Sequence, residues 1–141
     1  VRQGMIRIYA GFIEREPLME IYRRYFTRLA EGEGATLVHC HAGKDRTGIA
    51  IALVLRLLDV GHDQVIADYL LTEHAAAAID QRLNRRHDGT GYPEAFYLVV
   101  PEALSEVMDM WDAHPGGVEG WFLASGGDPD VIHRLRARFL A

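Results

Sequence analysis

Hydrophobic positions recur at helical spacing through residues 17–30 of the chain. The apolar side chains of this segment fall three or four residues apart, at Leu18, Ile21, Tyr22, Tyr25, Phe26 and Leu29. Such spacing places them on one face of a helix. Pro17 suits the first turn, where its missing N–H has no partner to lose, and Gly32 suits the position just past the end. The pattern predicts an amphipathic helix.

The next two apolar segments predict a strand followed by a central helix. Residues 35–39 (ATLVH) form a short run typical of a buried strand, and residues 5–9 (MIRIY) predict a second one. Residues 47–58 (TGIAIALVLRLL) are apolar almost all round, which predicts a helix in the centre of the fold. A buried strand needs neighbours that pair its backbone groups. We therefore expect an α/β fold to which this chain contributes few strands.

The rest of the chain predicts mostly helices. Asp63 and Asp128 are suitable N-caps, and Pro93, Pro101 and Pro129 suit first helical turns. The predicted helices are residues 63–70, 74–86, a stretch from 93, 101–113, 118–123 and 129–140, with a loop at 87–91.

Composition restricts the class of protein without identifying a function. With 141 residues, of which 49% are hydrophobic, the chain suits a single domain with a substantial core. The net charge of −5 gives no general attraction to nucleic acid or to an anionic membrane. One cysteine suits a reducing compartment, and the longest apolar run is too short to span a bilayer. We expect a cytoplasmic protein, although a secreted chain trimmed of its leader would have the same composition.

The only cysteine and the only lysine lie together in HCHAGKDRTG, residues 39–48. A strand, a glycine-containing loop and a helix start can bind phosphate, because loop N–H groups and the helix N-terminus present positive charge. The same field favours the thiolate of Cys40, and Arg46 can hold two phosphoryl oxygens. Thr47 can hydrogen-bond the sulfur, while Ala42 and Gly43 leave the anion site open.

Simpler explanations exist for each feature taken alone. A lone cysteine is more often a core residue, and a Cys-x5-Arg spacing arises by chance. The order of strand, thiol, small residues, Arg-Thr-Gly and buried helix is what favours a phosphate site. We expect no metal and no cofactor, because the adjacent His39, Cys40 and His41 point to alternate faces of a strand and no Cys-x-x-Cys or His-Glu-x-x-His motif occurs.

The stretch HCHAGKDRTG resembles the HCxxGxxR[ST]G signature of the cysteine-dependent protein tyrosine phosphatase superfamily. Its GKDRTG form resembles the bacterial tyrosine and dual-specificity branch, whose members include phosphoinositide phosphatases. Similarity continues through residues 65–73, 100–121 and the closing RLRARFL, and so covers about residue 18 to the end. It implies a phosphatase-type parallel sheet flanked by helices, of which this chain would hold mostly the helical C-terminal part.

The resemblance also implies roles for the matching positions. Cys40 would form a phosphocysteine, Arg46 would bind the phosphate, and Thr47 would assist breakdown of the intermediate. Lys44 would add a second cation at the rim, which suits highly phosphorylated or lipid head-group substrates. The residues implied to bind the substrate phosphate are His41, Ala42, Gly43, Lys44, Asp45 and Arg46, and those implied to support the loop are His39 and Gly48.

The N-terminal part of the family pattern has no counterpart in this chain. The family takes its general acid from an aspartate before the signature, whereas only glutamates precede Asp45 here. Three interpretations follow. We favour a single phosphatase domain (1–141) that lacks the N-terminal strands and the acid-bearing segment of a longer protein. The others are a homodimer that completes the sheet, with Asp45 as the acid, and a remnant without turnover. Asp45 beside Arg46 would tend to be ionised.

We therefore expect a phosphomonoester hydrolase of the tyrosine, dual-specificity or phosphoinositide kind. The alternatives are a phosphate-binding module or inactive fragment and, more remotely, a rhodanese-like sulfurtransferase, which Arg46-Thr47-Gly48 disfavours. The expected partners are phosphorylated proteins or phosphoinositides, with no nucleic acid and no integral membrane segment. Residues 73–100 could form a helical lid, in which Arg82, Arg85 and Arg86 either draw anionic substrates or form a solvated face.

Overall fold

Eight α-helices make up almost all the regular structure in the described part of the chain. The computed structural model describes residues 2–84 and 98–140. The helices are α1 (Arg2–Glu14), α2 (Glu16–Glu31), α3 (Asp45–Leu57), α4 (His62–Leu70), α5 (Ala76–Asn84), α6 (Pro101–Ala113), α7 (Gly117–Ala124) and α8 (Pro129–Phe139), and a 3-10 helix, Leu71–Ala75, joins α4 to α5. Among these helices, none combines the length and the apolar character needed to cross a membrane.

α3 and α6 contribute more completely buried side chains to the core than any other described helix. Ile49, Leu53 and Leu57 of α3 are fully buried, as the sequence predicts for a central helix, and so are Leu104 and Trp111 of α6. Burying a large apolar side chain contributes about 1.5–3 kcal/mol to stability. α1 packs on α6 and α2 packs on α8, while α3 contacts α1, α4 and α7. The N-terminal turn of α3 therefore lies within reach of side chains from several helices.

Residues 5–9, which the sequence predicts as a strand, lie in the middle of α1. A short, mostly apolar run of five residues fits a strand, but Met5, Tyr9 and Ile13 recur every four residues and form the buried face of a helix. Tyr9 is completely buried, whereas Ile8 is 48% exposed. The strand prediction is wrong because the helical period continues beyond the five residues on which it was based.

Residues 35–39, predicted as a buried strand, have no regular secondary structure and pair with no strand in residues 2–84 and 98–140. Leu37 is 87% exposed, while Val38 packs against the core. Neighbouring side chains of this segment therefore alternate between an exposed side and a covered side, as they do in a strand, but no partner strand is described. The predicted sheet is therefore not confirmed, and the described fold is mostly helical.

The helix predictions agree more closely with the structure. Predicted residues 17–30 lie within α2, and 101–113 coincide with α6. Asp128 caps α8 as predicted, since its Oδ1 accepts a hydrogen bond from the N–H of Asp130 at 2.9 Å. The other matches are 47–58 with α3, 63–70 with α4, 74–84 with the 3-10 helix and α5, 118–123 with α7, and 129–140 with α8. The predicted loop at 87–91 and the stretch from Pro93 lie outside the described residues.

Candidate active site

The anion loop, residues 40–46, follows the irregular segment 35–39 and includes the first two residues of α3. Gly43 adopts a φ of +71°, a left-handed conformation that favours glycine, and α3 begins at Asp45. Cys40 therefore lies close to the first turn of α3, where unpaired N–H groups and the helix dipole favour negative charge. The order of thiol, glycine turn and helix start that the sequence predicts is present.

The thiol of Cys40 is half-buried and its pKa is lowered from the ordinary value. Burial alone would raise this pKa, but the hydroxyl of Thr47 and the N–H groups of Thr47, Gly43 and Lys44 interact with the sulfur and lower it. Thr47 Oγ1 is itself buried and has no hydrogen-bond partner in place among the described residues, so its hydroxyl is free to turn toward the sulfur. The nucleophilic thiolate is thus more accessible near neutral pH than in an ordinary cysteine.

Replacing Thr47 by valine should shift the reactivity of Cys40 to higher pH. Valine keeps the shape of threonine and removes the hydroxyl that stabilises the thiolate, so the thiol pKa should rise. A hydrogen bond to a charged group contributes about 1.5–3 kcal/mol, which corresponds to about one to two pKa units. The rate of alkylation by iodoacetamide, measured from pH 5 to 9, reports this shift directly. An unchanged profile would contradict the role of Thr47.

Two cavities border Cys40. The first, about 230 Å³, lies between the anion loop and α1; its lining residues are Met5, Ile8, Phe12, Cys40, His41, Ala42, Asp45 and Arg46. The second, about 140 Å³, lies against α2 and is lined in part by Tyr22, Cys40, Arg46 and Thr47. Arg46 is exposed and lines both cavities, so its guanidinium is available to an anion bound at Cys40. A larger depression of about 590 Å³ along α2 contains no residue of the anion loop.

Tyr22 brings a buried hydroxyl to the second cavity. The residue is 4% exposed, and its hydroxyl has no hydrogen-bond partner in the part of the chain that the structure describes. Burial raises the pKa of Tyr22; the Arg46 guanidinium opposes this effect and the Cys40 thiolate adds to it. The phenol therefore remains a neutral donor at neutral pH. The sequence predicts only that Tyr22 lies on an apolar helix face, because spacing does not reveal where a phenol oxygen lies.

The two histidines beside Cys40 are both exposed. His39 Nδ1 lies 3.3 Å from the carbonyl oxygen of Cys40, which is a contact with the start of the anion loop. His41 lines the first cavity. Within the described residues, no group of three His, Cys, Asp or Glu side chains is arranged to hold a metal ion.

Gly48 lies in α3 against the ring of Tyr69. A Cβ atom at this position would lie 2.8 Å from Cε2 of that ring. Gly48→Ala should therefore displace the ring and destabilise the protein by about 1–3 kcal/mol, as overpacking of a core does. Gly4→Ala is the matched control, because a Cβ in that helical position meets no atom within 4 Å. We expect thermal unfolding to show a lower Tm for Gly48→Ala and an equal or higher Tm for Gly4→Ala; equal losses in both variants would contradict this packing argument.

The structure places Lys44 differently from the prediction of a rim cation. Its side chain is 1% exposed, and Nζ donates to Asp45 Oδ1 at 2.7 Å and to the carbonyl oxygen of Leu98 at 2.9 Å. The expected location fails because a long side chain can turn inward where a carboxylate and a carbonyl are available. Its backbone N–H, by contrast, faces the Cys40 sulfur.

Asp45 accepts hydrogen bonds from two directions. Its Oδ1 receives the hydroxyl of Tyr9 at 2.7 Å as well as the ammonium of Lys44. The hydroxyls of Tyr9 and Tyr69 are 2.6 Å apart, and Tyr69 is the donor of this pair because Tyr9 donates to Asp45. Burial raises the pKa of Tyr9, with Tyr69 and Asp45 adding to the rise, and burial raises the pKa of Tyr69 to about 12. Neither tyrosine is among the site residues that the sequence predicts.

Other candidate residues lie away from the anion loop. The glutamates that precede it are all exposed and line neither of the two cavities at Cys40; they are Glu14, Glu16, Glu20, Glu31 and Glu33. Residues 73–84 of the predicted lid form part of the 3-10 helix and α5. The side chain of Arg82, and Arg85 and Arg86 altogether, fall outside the described part of the structure.

Several known proteins are similar in sequence to this chain over most of its length. A tyrosine-protein phosphatase of Nostoc commune is 36% identical over 83% of the chain, which corresponds to 43% of that protein. A Cupriavidus necator protein provisionally named a tyrosine-protein phosphatase is 33% identical over 97% of the chain and 50% of its own length. The triple specificity protein phosphatase PtpB of Mycobacterium tuberculosis is 29% identical over 94% of the chain and 53% of its own length.

These relatives are longer than this sequence, which spans about half the length of the curated proteins that it matches. The match to the family as a whole is wider, because the pattern of the tyrosine phosphatase family fits residues 1–141. Together with the activated thiol, the arginine and the glycine turn of the anion loop, this match identifies the chain as a member of the tyrosine phosphatase family.

Proposed function

We propose that this chain hydrolyses phosphomonoesters through a phosphocysteine on Cys40. The lowered thiol pKa carries the proposal: the groups that stabilise the thiolate are the N–H groups of the anion loop and the Thr47 hydroxyl. A loop that stabilises negative charge on sulfur can also receive the oxygens of a phosphoryl group. The match to the tyrosine phosphatase family supports the same chemistry.

The reaction would proceed in two displacements. In the first, the Cys40 thiolate attacks phosphorus, an S–P bond forms, and the P–O bond to the leaving group breaks. The planar guanidinium of Arg46 binds two of the equatorial oxygens, whose charge is greatest in the transition state. In the second, water attacks phosphorus, the S–P bond breaks, and phosphate departs while the Thr47 hydroxyl stabilises the returning thiolate.

The proton for the leaving oxygen limits the substrates that this chain can turn over. Asp45 is the aspartate of the anion loop, but its Oδ1 accepts bonds from Tyr9 and Lys44 and is arranged as an acceptor. Loss of general acid catalysis costs about 10²–10⁴-fold in rate. Aryl phosphates need the least protonation, because a phenolate is a good leaving group. We therefore propose aryl phosphomonoesters, with phosphotyrosine as the protein substrate.

The wall of the first cavity favours the same substrates. Met5, Ile8 and Phe12 of α1 face the loop residues across this cavity of about 230 Å³. An apolar wall beside an anion site suits the ring of a phosphotyrosine better than the short polar side chain of phosphoserine. Phosphoinositides form a second class, proposed because the GKDRTG form of the loop resembles a branch whose members include phosphoinositide phosphatases.

Vanadate-sensitive release of phosphate from matched substrates tests this function. The panel would contain 4-nitrophenyl phosphate, a phosphotyrosine peptide, the same peptide with phosphoserine, and a soluble phosphoinositide. We expect turnover to be fastest with 4-nitrophenyl phosphate, slower with the phosphotyrosine peptide and slowest with the phosphoserine peptide. Phosphate binding without release from any substrate would instead identify a binding module, and thiocyanate formation from thiosulfate and cyanide would identify a sulfurtransferase.

We also propose that residues 1–141 form one phosphatase domain whose segment 35–39 is a strand of a parallel sheet. Its neighbouring strands would come from a longer protein, as the exposure of Leu37 and the greater length of the relatives suggest. A second copy of the chain is the alternative neighbour. Sedimentation over a hundredfold concentration range, with Leu37→Asp as the comparison, separates them: a monomer supports the first, and a dimer that Leu37→Asp dissociates supports the second.

The single cysteine suits a cytoplasmic location.

A further inference from the structure

Lys44 is a lysine in an unusual environment. It is the only lysine of the chain. Its exposed fraction is 1%, and among the residues that the structure describes it is the only charged one that is buried. Burying an ammonium is unfavourable unless it is paired and hydrogen-bonded. A cation that served only to attract substrate would be more stable at the surface, where 14 arginines of the same chain supply charge. The buried position therefore requires a different explanation.

The partners of Lys44 come from separate parts of the fold. Asp45, at the first turn of α3, is also held by Tyr9 of α1, which in turn contacts Tyr69 of α4. The carbonyl of Leu98 precedes α6. The ammonium thus connects the anion loop to three other elements through bonds of 2.6–2.9 Å. Its two acceptors satisfy most of its donor capacity without any substrate.

We propose that Lys44 is a positioning residue that fixes the anion loop from the inside, and that it is not a ligand of the substrate. The inference rests on the proposed function only in assigning Cys40 as the nucleophile. The N–H groups of Gly43 and Lys44 face the Cys40 sulfur. Anchoring the Lys44 side chain at both acceptors holds its peptide groups in that orientation.

The charge of Lys44 also favours the Cys40 thiolate, in addition to the effect of its side chain on the loop. Asp45 and Cys40 line the same cavity, so an Asp45 carboxylate without its ammonium partner would disfavour a nearby thiolate. The titratable groups that surround the ammonium are Asp45, Tyr9 and Tyr69, and those near the thiol are Tyr22, Arg46, His39 and His41. The two tyrosines beside Asp45 remain protonated at neutral pH, because burial raises their pKa values. Removing Lys44 should therefore leave the local charge more negative.

Alkylation of Cys40 in Lys44→Met tests the positioning role without requiring turnover. Methionine keeps an unbranched chain and removes the charge and the donors. We expect the thiol to react about tenfold more slowly with iodoacetamide at a pH below its pKa, because there the thiolate fraction falls tenfold for each unit by which the pKa rises. The affinity for inorganic phosphate should fall as well, since the N–H groups would no longer be held in place.

Arg56→Met is the matched control. Arg56 also joins a carbonyl to an aspartate, with Nη1 on Val60 O at 2.9 Å and Nη2 on Asp112 Oδ1 at 2.6 Å, but it lies in the last turn of α3. Its loss should leave the alkylation profile within about twofold of the parent. Equal changes in both variants would mean a general loss of stability, and an unchanged profile in Lys44→Met would overturn the proposal.

Acetylation of the unaltered protein keeps the proposal testable if Lys44→Met does not fold. The chain has one lysine, so mass spectrometry of its peptide reports the reactivity of that ammonium alone. We expect Lys44 in the native protein to react at least about tenfold more slowly than in urea, as burial implies, and added phosphate or vanadate to make no difference. Fast acetylation that phosphate suppresses would show that the ammonium binds the anion, and would overturn the proposal. Slow acetylation without phosphatase activity would leave the positioning role intact and reject the proposed function.

Discussion

Replacing Cys40 by serine is expected to reduce aryl phosphate hydrolysis to the uncatalysed background. Removal of a covalent nucleophile costs on the order of 10⁴-fold or more in kcat. Serine keeps nearly the same shape, but its hydroxyl stays protonated where the Cys40 pKa is lowered, so the same N–H groups no longer stabilise a nucleophilic anion. The rate at which 4-nitrophenol is released from 4-nitrophenyl phosphate, at equal concentrations of the parent and the variant, measures this loss.

Phosphate binding by Cys40→Ser separates turnover from structure. The anion loop keeps Gly43, Arg46 and its N–H groups in this variant, so the affinity for inorganic phosphate should be equal or higher, because the thiolate charge no longer repels the anion. Circular dichroism should match that of the parent. Residual turnover comparable to that of the parent would contradict the assignment of Cys40 as nucleophile.

Arg46→Lys should lower kcat for the same substrate by about 10²–10³-fold, which corresponds to removal of one optimally placed donor to a transition-state charge. Lysine retains the positive charge but presents a compact ammonium, which cannot hold two phosphoryl oxygens in a planar fork. Because the charge is conserved, KM should change less than kcat. Steady-state kinetics at the pH optimum gives both constants.

Arg24→Lys provides the control for that experiment. Arg24 is exposed on α2 and lines neither cavity at Cys40, so its replacement should alter kcat by less than about twofold. If Arg46→Lys retained full kcat, or if both variants lost activity equally, bidentate binding of the transition state by Arg46 would be excluded.

Features that depend on local sequence could be predicted from the chain. α3 was recognisable because residues 49–55 are apolar without interruption, and α6 and α8 because proline occupies the first turn of each. The relation of Cys40, Gly43 and Arg46 was also predictable, since all three lie within seven consecutive residues. These signals need only neighbouring residues, so tertiary contacts do not change them.

Features that depend on distant residues could not be predicted in this way. The bond between Tyr9 and Asp45 joins residues 36 positions apart, and the pair Tyr9 and Tyr69 joins residues 60 positions apart. No spacing rule connects them. The run of residues 5–9 around Tyr9 predicts a strand because five residues are too few to show the helical period. The direction of Lys44 failed for the same reason, since its acceptor at Leu98 lies 54 positions away.

The most direct test of the central claim is detection of the phosphoryl group on Cys40. The protein would be mixed with 4-nitrophenyl phosphate, quenched in acid within milliseconds to seconds, and digested for mass spectrometry. The account predicts one added phosphoryl group on the peptide that contains Cys40, present during turnover and absent after vanadate. Turnover without that adduct, or an adduct on another residue alone, would contradict it.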